Sequence, residues 1–148
     1  MSIHLASTIS LLLILGAGPV AAEPVIGAGL YEVSYRLELP HLERYAMTRK
    51  KTVCIGDSRK PAVLPLPIFG DNDAFSDCAV VNRQSGQRFL SYNIVCPGRA
   101  AEKATATYRF ARGGFHGRVE MVLGAKNMTM TEVQSGRRLQ SCSLASKG

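Results

Sequence analysis

The stretch Ala104-Thr105-Ala106-Thr107-Tyr108-Arg109-Phe110-Ala111-Arg112-Gly113-Gly114-Phe115-His116-Gly117-Arg118-Val119-Glu120-Met121-Val122-Leu123 decides the fold. On both sides of Gly113-Gly114, small or apolar residues alternate with polar or charged ones. A period of two is the signature of a strand with one face in a core and one in water. A two-residue Gly-Gly turn joins Ala104 to Arg112 with Phe115 to Leu123 as an antiparallel hairpin. That turn predicts the pairs Phe110 with Gly117, Tyr108 with Val119, Ala106 with Met121 and Ala104 with Leu123. The polar face then places Thr107 opposite Glu120, and Arg109 opposite Arg118. Two arginines set opposite each other belong in solvent or against an anion.

On the N-terminal side, Cys78 to Arg83 and Arg88 to Cys96 read as a second hairpin. Centring its turn on Ser85-Gly86 pairs Val81 with Leu90 and Ala79 with Tyr92. On the C-terminal side, Asn127 to Val133 and Arg137 to Leu144 form a third around Ser135-Gly136. Further upstream, Tyr31, Val33, Tyr35, Leu37 and Leu39 alternate with Glu32, Ser34, Arg36 and Glu38, a strand from Leu30 to Leu39 that Pro40 ends. His41 to Met47 is a short helical turn or a loop. A second strand covers Thr48 to Ile55. Gly56 to Asp77, with Pro61, Pro65, Pro67, Gly70 and several aspartates, reads as a long surface loop. Sequential hairpins without a long amphipathic helix predict an all-β fold, an antiparallel meander forming a small barrel or a sandwich.

The N-terminus has a different character. Leu11-Leu12-Leu13-Ile14-Leu15 precedes Gly16, Pro19 and the small residues Val20-Ala21-Ala22, the pattern of a secretory signal cleaved after Ala22. The apolar run is too short for a comfortable membrane span. Residues 1–22 are therefore the expected signal peptide, and 23–148 the expected single β domain, with no transmembrane segment after cleavage. Lys, Arg, Asp and Glu are all absent from the removed part, so the net charge of +7 is kept. A basic balance can point to anionic lipid or an acidic polysaccharide, with nucleic acid the least expected partner outside the cytoplasm, or to a plain solvated surface, which dispersed cations favour. The cations of this chain are dispersed, the longest runs being Arg49-Lys50-Lys51 and Arg137-Arg138.

Four cysteines, Cys54, Cys78, Cys96 and Cys142, lie in the exported part. An even count in an oxidising compartment predicts two disulfides, and the wide spacings lack the C-x-x-C of zinc or redox sites. Four cysteines allow three pairings. With the turn at Ser85-Gly86, Cys78 falls opposite Asn93 and away from Cys96. That register favours Cys54–Cys78, closing the Pro-rich loop, and Cys96–Cys142.

A larger set of residues has a familiar order. Gly29-Leu30-Tyr31-Glu32-Val33 opens the domain, Thr52-Val53-Cys54 closes the second strand, and Asp77-Cys78 leads to Ile94-Val95-Cys96. Gly117-Arg118-Val119-Glu120-Met121, Met128-Thr129-Met130-Thr131 and Gly136-Arg137-Arg138-Leu139 follow, before Cys142. The chain resembles the bacterial periplasmic family DUF3617 over nearly the whole exported part. Tyr31 stands where members usually carry Trp, and Gln140-Ser141 where they often carry Gly-Asp. The resemblance implies a Gram-negative periplasm and supplies no catalytic or ligand-binding residues.

Catalysis needs converging nucleophiles, bases or carboxylates. His41 and His116 are the only histidines after residue 22, and neither adjoins a nucleophile motif. The chain is therefore expected to be no enzyme, to need no cofactor, and to act as a binding or envelope-associated protein of unknown partner, an anionic envelope component and a small apolar ligand being the candidates. The alternative is a carrier. Tyr35, Tyr92, Tyr108, Phe110 and Phe115 are candidates to line a cavity for a small apolar ligand. Met121, Met128 and Met130 are candidate thioether ligands for copper, against the plainer role of core filler. Asn127-Met128-Thr129 matches a glycosylation sequon, which has no meaning in a bacterial envelope.

Overall fold

A computed structural model describes residues 26–56, 64–70, 75–98, 102–124 and 128–142. The expected signal peptide lies outside the described residues, as does Asn127 of the sequon. The seven strands form one antiparallel sheet: β1 (Gly29–Glu38), β2 (Arg49–Ile55), β3 (Ala79–Gly86), β4 (Phe89–Val95), β5 (Lys103–Ala111), β6 (Gly114–Leu123) and β7 (Met128–Gln140). Their order is β2-β1-β7-β6-β5-β4-β3. The run from β3 to β7 is the expected meander. β1 then pairs with β7, so the sheet is open between the edges β2 and β3 and closes into no barrel. A 3-10 turn at Glu43–Tyr45 joins β1 to β2.

Alternation works as the sequence implies in β1, β4, β5 and β6. Tyr31, Val33, Tyr35, Leu90, Tyr92, Ile94, Ala104, Ala106, Tyr108, Phe110, Phe115, Val119 and Met121 share the buried face. At the end of β1 the pattern fails, for Leu37 and Leu39 remain 37% and 41% exposed.

The hairpin registers differ from those expected. In β5–β6 the turn is Arg112-Gly113, with Ala111 opposite Gly114 and Tyr108 opposite Gly117. Gly113 takes the φ of +75° that a side chain resists, so a single glycine makes the turn and Gly114 joins the ladder. The shift is two residues, so every side chain keeps its face. It also separates the two arginines: Arg109 faces His116, and Arg118 faces Thr107. The new register puts Tyr108 over Gly117, and β7 puts Phe115 over Gly136. In both cases the aromatic ring fills the space a Cβ would take.

In β3–β4 the turn is Gln87-Arg88, and the register slips between Val81 and Gln84. Asn82, at φ +53°, marks this bulge. Beyond it Ala79 faces Val95, which carries Cys78 to Cys96. The disulfides are therefore Cys78–Cys96 and Cys54–Cys142, with Cα separations of 4.3 and 5.8 Å. This corrects the expected Cys54–Cys78 and Cys96–Cys142. The expected register placed Cys78 across from Asn93; a turn two residues later, together with one extra residue in β3, brings it across from Cys96 instead. Cys54–Cys142 ties β2 to the end of β7 across the intervening β1, since Leu30 is the ladder partner of both Cys54 and Gln140.

The third hairpin does not form. β7 is one 13-residue strand between β6 and β1, and Ser135-Gly136 lies in its middle. The Pro-rich segment departs most from expectation. Instead of a surface loop, its described part is core: Leu64, Leu66, Phe69 and Phe75 are all buried. This strap lies on the inner face of the sheet, and Phe69 meets the Tyr35 ring at 5.4 Å.

Candidate ligand-binding site

Two features on the inner face of β7 form the site. The first is polar. Glu132 and Gln134 are the only buried polar or charged residues among those described, and both point toward the strap. The backbone N–H groups of Phe69 and Gly70 donate to the two Glu132 carboxylate oxygens at 2.8 and 2.7 Å. The Gln134 side-chain amide donates to Glu132 at 2.6 Å and to the Pro67 carbonyl at 2.9 Å. Tyr92 of β4 donates to the Leu66 carbonyl at 3.3 Å. Prolines at 65 and 67 remove two ladder donors from the strap, and side chains meet its Leu66 and Pro67 carbonyls and its Phe69 and Gly70 N–H groups.

Burial pushes the Glu132 carboxyl above its ordinary range, and the three donors oppose that shift without cancelling it. Beside it, burial drives the Tyr108 phenol well above its usual value, and the nearby Tyr92 and Glu132 add to the effect. The Tyr108 hydroxyl and Gln134 Oε1 are buried without a hydrogen-bond partner. The other core aromatics pack on one another. Tyr92 and Tyr108 lie 6.1 Å apart, and Phe115 sits 6.0 Å from both Tyr108 and Tyr31. Among the described residues, Tyr92, Tyr108, Phe110 and Phe115 are buried in the core, the plainer of the two roles expected for them, while Tyr35 borders a cavity.

The second feature is the cavity at the sheet end where β1 and β6 finish and β7 begins. It holds about 200 Å3 and is lined by Leu37, Ile68, Gly70, Phe75, Met121, Leu123 and Met130. None of these side chains is polar. A neighbouring cavity of about 160 Å3 shares Leu37 and Gly70 and adds Tyr35, Arg36, Met47 and Arg49. The strap supplies one wall, so the Glu132 clamp on Phe69 and Gly70 also positions Gly70 and Ile68 at the cavity. Met121 and Met130 are ladder partners and both line it, while Met128 is 55% exposed. Strand alternation placed Met128 and Met130 on one face, but it could not show that Met130 borders a void.

The remaining candidates disperse. His41, at φ +67°, donates its backbone N–H to Glu43, and His116 lies between Arg109 and Ser135 on the outward face. That face holds the ion pairs Arg36–Glu38, Arg118–Glu120 and Arg137–Glu32 at 2.7, 3.0 and 3.3 Å. No described helix is long and apolar enough to cross a membrane. No cluster of His, Cys, Asp or Glu suited to a metal ion occurs among the described residues.

Residues 26–142 match the model of a family described as a protein of unknown function, DUF3617. The chain belongs to the DUF3617 family. Family membership covers both disulfides, the strap and all seven strands. No curated protein and no solved structure matches the chain. For this DUF3617 member the chemistry of the cavity carries the functional reading.

Proposed function

We propose that the protein is an exported, non-enzymatic binding protein of the periplasm that takes the apolar end of a small molecule into the cavity under the strap. The observation that carries this reading is the composition of the cavity wall, seven residues without a polar side chain. An engineered apolar cavity of about 150 Å3 stays dry and binds benzene. Sites for whole drug-sized ligands run from about 300 Å3 upward. At about 200 Å3 this cavity suits one ring or the end of one alkyl chain, with the rest of the molecule outside. Leu37, Leu39 and Met128, exposed at the same end of the sheet, offer apolar surface for the remainder.

A neutral environment-sensitive dye such as N-phenyl-1-naphthylamine tests the reading. Its fluorescence should rise on binding, and Met130→Trp, which fills the cavity, should weaken binding by about tenfold or more. Equal dye binding by the two proteins would remove the proposal. Copper carriage has one observation in its favour, the opposed Met121 and Met130. Anaerobic Cu(I) titration decides it, and no uptake at micromolar metal ends it.

A further inference from the structure

Five of the nine large apolar side chains left exposed among the described residues fall between Leu37 and Met47. Leu42 is 48% exposed, Tyr45 64% and Met47 79%. They occupy the turn that leads from β1 to β2, at the sheet end that holds both cavities. Scattered exposed leucines need no explanation, but a concentration in one short connection does. Charge accompanies them. From Arg36 to Lys51 the chain carries Arg36, Arg44, Arg49, Lys50 and Lys51 against Glu38 and Glu43. Arg44 stacks 4.7 Å from the Tyr45 ring centre. Glu38, the acid nearest the sheet, is shared between Arg36 and Arg118 at 2.7 and 3.6 Å.

We infer that the Leu39–Met47 connection is a membrane-docking tip, which seats its apolar side chains among the acyl chains of an anionic leaflet with the flanking cations at the headgroups. Apolar insertion and cation–headgroup attraction act together at such interfaces. Each cation held near an anionic leaflet raises affinity about fivefold. Tyr45 suits the headgroup depth, having a ring for the apolar side and a hydroxyl for the wet side. Met47 belongs both to this tip and to the wall of the smaller cavity, and Leu37 and Gly70 line both cavities. A docked tip therefore sets the cavity mouth at the acyl chains, which makes a lipid acyl chain the ligand. The identity of that ligand rests on the cavity reading above, whereas the docking contact does not.

Co-sedimentation with phosphatidylcholine vesicles, with and without phosphatidylglycerol, tests the inference. The protein should bind the mixed vesicles, and salt should weaken the binding. Leu42→Ser with Met47→Ser, both at exposed positions, should lower vesicle affinity by at least about tenfold. Arg109→Glu, which removes a cation from the outward face of the sheet, should leave most of the affinity in place. No vesicle binding at low salt would overturn the inference, as would unchanged binding by the Leu42/Met47 variant. So would a dimer in light scattering that this variant dissociates, because the tip would then cover a second copy. Met130→Trp separates the two readings: it should lose the dye and keep the vesicles. Dye binding without vesicle binding removes only the docking tip, and the reverse removes only the cavity.

Discussion

Glu132 sits in the middle of the inner face and accepts three hydrogen bonds, two of them from the strap. A buried donor left without its acceptor costs about 1–3 kcal/mol. Glu132→Ala strands three donors, and chemical denaturation should show a loss of about 3 kcal/mol or more. A loss under about 1 kcal/mol would mean that the strap is not held there. The raised carboxyl sets a pH dependence whose sign is fixed. Between the unfolded pKa, near 4.3, and the higher folded value, the native state binds more protons than the unfolded chain. Glu132 therefore makes its full contribution below the lower value, and part of it is lost as pH rises through the upper one. The melting temperature of Glu132→Gln should lack this slope, and an unaltered slope would contradict the assignment. At Gly136, where the Phe115 ring takes the space of a Cβ, Gly136→Ala should destabilise by about 1–3 kcal/mol through overpacking.

Among the elements, β1, β5 and β6 were legible because their inner residues are apolar and their outer ones are not. β7 was not, for a physical reason. Its inner face carries Glu132, Gln134 and Gly136, and its outer face carries Val133, so the pattern inverts wherever the strand serves the strap and the Phe115 ring. The same cause hid the site, since the clamp consists of residues that read as surface. In the strap, prolines at 65 and 67 suggest a wet loop, while Leu64 and Leu66 are the residues that face inward. The bulge at Asn82 carries no local signal in the sequence, and together with the later turn at Gln87-Arg88 it decides the cysteine pairing. Non-reducing peptide mapping should therefore find Cys78 linked to Cys96 and Cys54 linked to Cys142. Replacing Cys54 and Cys142 together by Ser should cost about 2–4 kcal/mol, because that bond closes the longer loop.

For the molecule as a whole, one open sheet is sealed on its inner face by its own Pro-rich strap. Of the rings that alternation marked out, Tyr92, Tyr108, Phe110 and Phe115 are buried in the core and Tyr35 borders the smaller cavity; the apolar cavity lies at one end, beside the turn where exposed apolar side chains concentrate among the described residues. On the reading proposed above, the ligand is met at an end of the sheet and not across its polar, ion-paired outer face. Ion pairs of that exposed kind contribute about 1 kcal/mol or less each, so their loss should leave stability nearly unchanged. The most direct measurement is methyl NMR of the protein with 13C-labelled methionine methyl groups during titration with a medium-chain alcohol. Binding in the cavity predicts saturable shifts at Met121 and Met130, larger than those at Met128 outside it. No saturable shift at that pair, or equal small shifts at every methionine, would contradict it.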